Sequence, residues 1–210
     1  MKKTFAVIFV VILSAVLSTA ALAQNNSLAF FKIDADLNTT GFQGGQSAKD
    51  IGATERVGFA VYVKNVDQMR TYIVDFTWDG GKATFNSDSG ENVDLEERTV
   101  NGESCTLSET NVLGSVSSLG EVNEAGHYTI TSAKLGGDAA STTDYGLVYC
   151  LVLKTSATFS ASDNFEIKAH IKVLNDTGVE KDLGERTFYV NSSVDVQTST
   201  WGEIKNQFKD

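Results

Sequence analysis

The stretch "RVGFAVYVKNVDQMRTYIVDFTWDGGKATF" (residues 56–85) decides the fold. In its first third, Val57, Phe59, Val61 and Val63 occupy every second position. Successive side chains of an extended chain point to opposite faces, so this spacing lays four apolar groups on one face of a strand. From Arg70 to Trp78 the pattern repeats, with Tyr72, Val74, Phe76 and Trp78 on one face and Asp75 and Thr77 opposite. Asp79-Gly80-Gly81 supplies a turn, and "KATF" resumes an extended segment. Consecutive strands with one apolar and one polar face belong to an antiparallel sheet that buries one side.

Working outward, strand patterns continue in both directions. "LAFFKID" (28–34) precedes the stretch, and "HYTITSAKL" (127–135) follows it. "GLVYCLVLKT" (146–155) is apolar on both faces, as a central strand covered from two sides is. In "FEIKAHIKV" (165–173), Phe165, Ile167, Ala169, Ile171 and Val173 alternate with Glu166, Lys168, His170 and Lys172. "VEKDL" (179–183) and "RTFYV" (186–190) read as two closing strands. Asn101-Gly102 suits the positive φ angles of a two-residue hairpin. It predicts that 94–100 and 103–109 pair, with Cys105 opposite Arg98. The sum is about 9–11 short strands without a helix between them, the pattern of an all-β antiparallel β-sandwich.

The ends differ in character. "MKKTFAVIFVVILSAVLSTAALA" (1–23) has a basic start, an apolar run and a small-x-small finish at Ala21-Leu22-Ala23. This reads as a secretory signal peptide cleaved after Ala23, leaving a sandwich over 24–191 and a tail over 192–210. In the tail, Thr200 and Glu203 have capping-box spacing, and Trp201, Ile204 and Phe208 share a helical face, which predicts a short amphipathic C-terminal helix. A secreted, periplasmic or cell-surface bacterial protein is expected, without membrane insertion after cleavage. Losing Lys2 and Lys3 from 17 basic and 27 acidic side chains moves the formal charge from −10 to −12. Such a surface repels nucleic acid and anionic lipid. Cys105 and Cys150 read either as a disulfide, which stabilises a loop of this length by about 4 kcal/mol, or as two buried thiols. Proline is absent, so no Pro-rich linker joins a second module.

With the strands in place, "RVGFAVYVKNVDQMRTYIVDFTWDGGKATFNS" resembles the front of a cohesin-like domain, and "SAKLGGDAASTTDYGLVYCLVLKT" resembles its later part. The resemblance spans Leu28 to about Asn191. It implies a jelly-roll β-sandwich of the cohesin and carbohydrate-binding-module superfamily. It also implies a non-catalytic module that binds a protein partner, dockerin-like or another secreted protein. The alternative within the same fold is a polysaccharide-binding module.

Chemistry-bearing residues are sparse. His127 and His170 are the only histidines, each within a strand pattern, and no nucleophile elbow, zinc-protease or P-loop motif occurs, so no enzyme is expected. Calcium is the candidate ion, because acidic and amide oxygens cluster on loops. Asp34, Asp36 and Asn38 alternate at the end of the first strand. Asp88, Glu91 and Asp94 form a second set within "NSDSGENVDLEE". That segment places Gly90 at the fifth rather than the sixth loop position, so it is not an EF-hand. For a sugar ligand, Tyr62 and Tyr145 are the stacking candidates. Phe42 is the only large apolar residue of the Gly-rich stretch 38–50 and is expected to pin that loop to the core.

Overall fold

The computed structural model describes residues 26–37, 39–85, 99–100, 103–104, 111–114 and 116–192. The expected signal peptide, the C-terminal tail with its expected helix, and the acidic segment 86–98 lie outside them.

The described residues form thirteen strands. They are β1 (Phe30–Asp34), β2 (Ser47–Ala48), β3 (Arg56–Lys64), β4 (Val66–Trp78), β5 (Ala83–Phe85), β6 (Thr99–Val100) and β7 (Glu103–Ser104). They continue as β8 (Ser117–Glu124), β9 (His127–Ala133), β10 (Ala140–Thr142), β11 (Gly146–Thr155), β12 (Phe165–Asn175) and β13 (Glu180–Val190). A four-stranded sheet runs β1-β3-β11-β5. A seven-stranded sheet runs β2-β13-β12-β4-β9-β8, with β10 also pairing β4. All pairings but β13–β2 are antiparallel.

The two large sheets pack face to face, and the inward residues are those that the alternation placed together. Phe59 of β3 stacks on Phe188 of β13 at 4.7 Å and meets Phe76 of β4 edge-on at 6.0 Å. Phe85 stacks on Tyr128 at 4.2 Å. Gly58 is required by close approach. A Cβ there would lie 2.3 Å from the Leu151 carbonyl oxygen of the adjacent strand.

One polar group crosses the core with partners in place. Tyr72 Oη donates to the Val148 carbonyl at 2.8 Å, and Asn111 Nδ2 reaches both Tyr72 Oη and that carbonyl at 2.8 Å. Burial pushes the Tyr72 phenol up to about 12, against the opposing hydrogen bonds from Ser132 and Asn111. Asn111 Oδ1 accepts from the Leu113 N–H, so the same side chain also shapes the return loop.

Two expectations change. "VEKDL" and "RTFYV" are one strand, not two. β13 runs through with a bulge between its pairs Ile171–Gly184 and Lys172–Asp182, and Gly184 takes the φ of 82° that this irregularity needs. β8 and β10 had no alternating signal, because their apolar residues are few. The strand count therefore exceeds the expected range through short elements. The hairpin register holds where it is described, with Thr99 opposite Ser104 and Val100 opposite Glu103. Cys150 is buried on β11, while Cys105 lies outside the described residues.

Candidate interaction face

The sandwich has two outer faces, and the sequence candidates divide between them. The first is the outside of the four-stranded sheet. Ala60, Tyr62, Leu147 and Cys150 form a small buried cluster there, packed against Leu37, Phe42 and Tyr145. What covers it is the loop after β1. Asp34 is fully buried and closes that loop by accepting backbone N–H groups. Asp36 N–H donates to its Oδ1 at 3.0 Å, and Gly44 N–H donates to its Oδ2 at 3.0 Å. Gln43 N–H donates to Oδ2 as well. The closed loop delivers Phe42 onto Tyr145 at 4.3 Å and edge-on to Tyr62 at 5.8 Å. Phe42 does pin the loop, but to this outer cluster and not to the core between the sheets.

This geometry corrects two site assignments. Tyr62 has no exposed surface, so it offers no ring face to a sugar. Tyr145 is half-buried, its ring stacked on Phe42 and edge-on to Phe30, with the Lys64 ammonium 4.7 Å from its centroid. Asp34 is also corrected as a calcium ligand. It is fully buried and accepts three backbone N–H groups, one on Oδ1 and two on Oδ2, which commit it to closing the loop. Asp36 Oδ1 accepts from Thr39 N–H at 3.1 Å. Asn38, Asp88, Glu91 and Asp94 lie outside the described residues. Among those described, no cluster of three or more His, Cys, Asp or Glu side chains has metal-holding geometry.

The second outer face, on the seven-stranded sheet, is open. Pairing registers place Glu185, His170, Asp75, Thr129 and Glu121 in one row across β13, β12, β4, β9 and β8. The next row holds Thr187, Lys168, Thr77 and His127. These side chains are ordered by one another. His127 Nε2 lies 3.2 Å from Asp75 Oδ1, and Thr129 Oγ1 donates to the same oxygen at 2.5 Å. His170 Nε2 lies 2.8 Å from Asp182 Oδ1. Lys168 pairs with Glu185 at 3.3 Å and Lys172 with Glu180 at 3.1 Å. Asp75, Thr77, His127, Lys168, His170, Gly184 and Glu185 line a shallow cleft of about 510 Å³.

Electrostatics follow from these contacts. Partial burial would raise the Asp75 carboxyl. Hydrogen bonds from Thr129 and His127, with the nearby His127 and His170 rings, outweigh that and hold it below the ordinary carboxylate range. The Gly184 N–H and His170 likewise hold Asp182 low. Hydrogen bonding to Glu180 raises the Lys172 ammonium. The His127–Asp75 pair resembles the base and orienter of a triad, made here through Nε2 across two strands. The cleft is open to water. This arrangement can present charge and hydrogen-bond donors to a flat ligand.

Of all these residues, the sequence singled out His127 and His170 only as strand members. The Asp75 and Asp182 partners were missed because the pairs are made across strands, 52 and 12 residues apart in the chain.

No family model matches the chain, and no curated protein matches it. Solved structures do. A type II cohesin domain from the cellulosome of Acetivibrio cellulolyticus superposes with a TM-score of 0.51 at 12% identity, covering 78% of this chain and 95% of that one. The fold is cohesin-like. Two further cohesins align less closely. The sixth cohesin of scaffoldin B from Acetivibrio cellulolyticus, in complex with a Cel5 dockerin mutant, is 13% identical over 78% of this chain and 97% of its own, with a TM-score of 0.49. A non-cellulosomal cohesin from Archaeoglobus fulgidus is 9% identical over 86% of this chain and 99% of its own, with a TM-score of 0.46. The two sheets are built from strands between β1 and β13, with the loop after β1 folded against the smaller sheet.

Proposed function

We propose that the protein is a secreted, non-catalytic cohesin-like module that holds a protein partner on the outer face of its seven-stranded sheet. One observation carries the reading. The outer face of the small sheet is closed by the chain's own loop, while that of the large sheet presents ordered rows of charged and imidazole side chains to solvent. Fixed side chains lose little conformational freedom when a partner arrives, which favours specific docking. The partner class is a dockerin-like or other secreted protein, brought in by the fold-level likeness.

The polysaccharide alternative needs a strip of exposed aromatic rings. Among the described residues, the strongly exposed large apolar side chains are Leu28, Leu119, Leu135 and Val179, none of them aromatic. The acidic segment 86–97 keeps the calcium proposal. Calorimetric titration tests it: heat at millimolar calcium assigns it a metal role, and no heat removes that role.

Capture from the organism's own secretome tests the main reading, using the mature chain as bait beside a panel of insoluble polysaccharides. Retention of a defined protein that is lost in a Lys168→Ala/His170→Ala variant supports the proposal. Retention on polysaccharide alone rejects it.

A further inference from the structure

The seven-stranded sheet has two edges, and they are built differently. On one side β13 carries Glu180, Lys181, Asp182, Glu185 and Arg186, a bulge at Gly184, and the short strand β2 over Tyr189 and Val190. Dense charge, bulges and covering strands are how an edge is protected from foreign strands. On the other side β8 has the sequence "SSLGEVNE". It contains no lysine, arginine or proline, and its register with β9 runs unbroken from Ser117 to Val122, with one irregularity only beyond that, before Glu124. Leu119 is 74% exposed, and Gly120 and Glu121 are exposed too. Among the described residues, no strand pairs with the outer edge of β8. Its outward backbone N–H and C=O groups therefore form a template for one more strand.

We infer that this edge accepts an extended, basic segment of a protein partner by strand addition. The inference rests on the interaction-module reading, but not on the side chains of the open face. Charge identifies the occupant. Glu121 and Glu124 are the only charged residues of β8, both exposed. A second copy of β8 would bring acid onto acid, and the chain as a whole carries a formal charge of −10. A segment with lysine or arginine opposite Glu121 and an apolar residue opposite Leu119 matches instead, because Leu119 and Glu121 lie on one face two residues apart. Glu121 also ends the row that runs through Thr129, Asp75 and His170, so an added strand lengthens that row by one position.

The probe is a short, end-blocked peptide alternating lysine and valine, with a glutamate–valine peptide as mismatch. Amide hydrogen exchange of the isotopically labelled mature chain locates the contact. The inference expects slowed exchange confined to residues 117–124, with the basic peptide bound roughly tenfold more tightly than the acidic one. Glu121→Lys/Glu124→Lys should reverse the preference. Glu121→Gln, which keeps the size of the side chain, should weaken binding of the basic peptide without reversing it. Unchanged exchange over 117–124 at saturating basic peptide overturns the inference. So does protection placed at residues 75, 127, 168 and 170. Secretome capture reads the open face separately. Capture without β8 protection removes only the edge, and β8 protection without capture removes only the face.

Discussion

The two outer faces of this sandwich are made from different raw material and end in opposite states. The four-stranded sheet has apolar residues on both sides of β3 and β11, so its outside needs a cover. The loop 35–45 provides one, held by Asp34 and seated by Phe42. The seven-stranded sheet alternates cleanly, so its outside is polar and needs none. The side chains there instead pair across strands. The lesson is that the apolar content of a strand's second face tells whether that face is available. β11, apolar on both sides, marks the closed face, and β12, half polar, marks the open one.

The contrast can be broken at its strongest point first. Asp34→Ala removes the acceptor for three buried or half-buried backbone N–H groups and should cost roughly 3 kcal/mol in urea unfolding. Limited proteolysis should then cut within 35–45. Phe42→Ala uncovers Tyr62 and should cost about 2 kcal/mol, with a change in the near-ultraviolet tyrosine signal. On the open face the expected effects on stability are smaller. Lys168→Ala/His170→Ala should change stability by about 0.5 kcal/mol or less, since both groups are partly solvated, while abolishing partner capture.

The smallest effect concerns pH. The Asp75 carboxyl is held low in the fold, so its contribution is present above the unfolded carboxylate pKa. It is lost as pH falls through the folded value. Asp75→Asn should therefore lower stability slightly near neutrality and flatten the acid limb of the unfolding profile. An unchanged acid limb would remove the assigned role of the Thr129 and His127 hydrogen bonds.

The sequence made much of this legible. Period-two alternation in 56–64, 70–78 and 165–173 located β3, β4 and β12 and their inward residues, because burial of one sheet face leaves a signal in every second residue. It also identified β11 as covered on both sides. What it could not supply were relations between distant strands. Tyr62 looked outward on its strand, and it is; only the loop anchored at Asp34 turns outward into buried. Asp34 and Asp36 had the spacing of metal ligands, but the partners of Asp34 are backbone amides nine and ten residues on. β8 left no trace because an edge strand with one exposed leucine has no apolar alternation to read.

In the proposed function the open face binds and the closed face does not. The direct test measures affinity for the captured partner in two matched variants. One is Lys168→Ala/His170→Ala on the large sheet. The other is Lys154→Ala, an exposed lysine on the outside of the small sheet beside Arg56. A loss of roughly tenfold or more is expected in the first and a change within about twofold in the second. The opposite order, or equal losses in both, would contradict it.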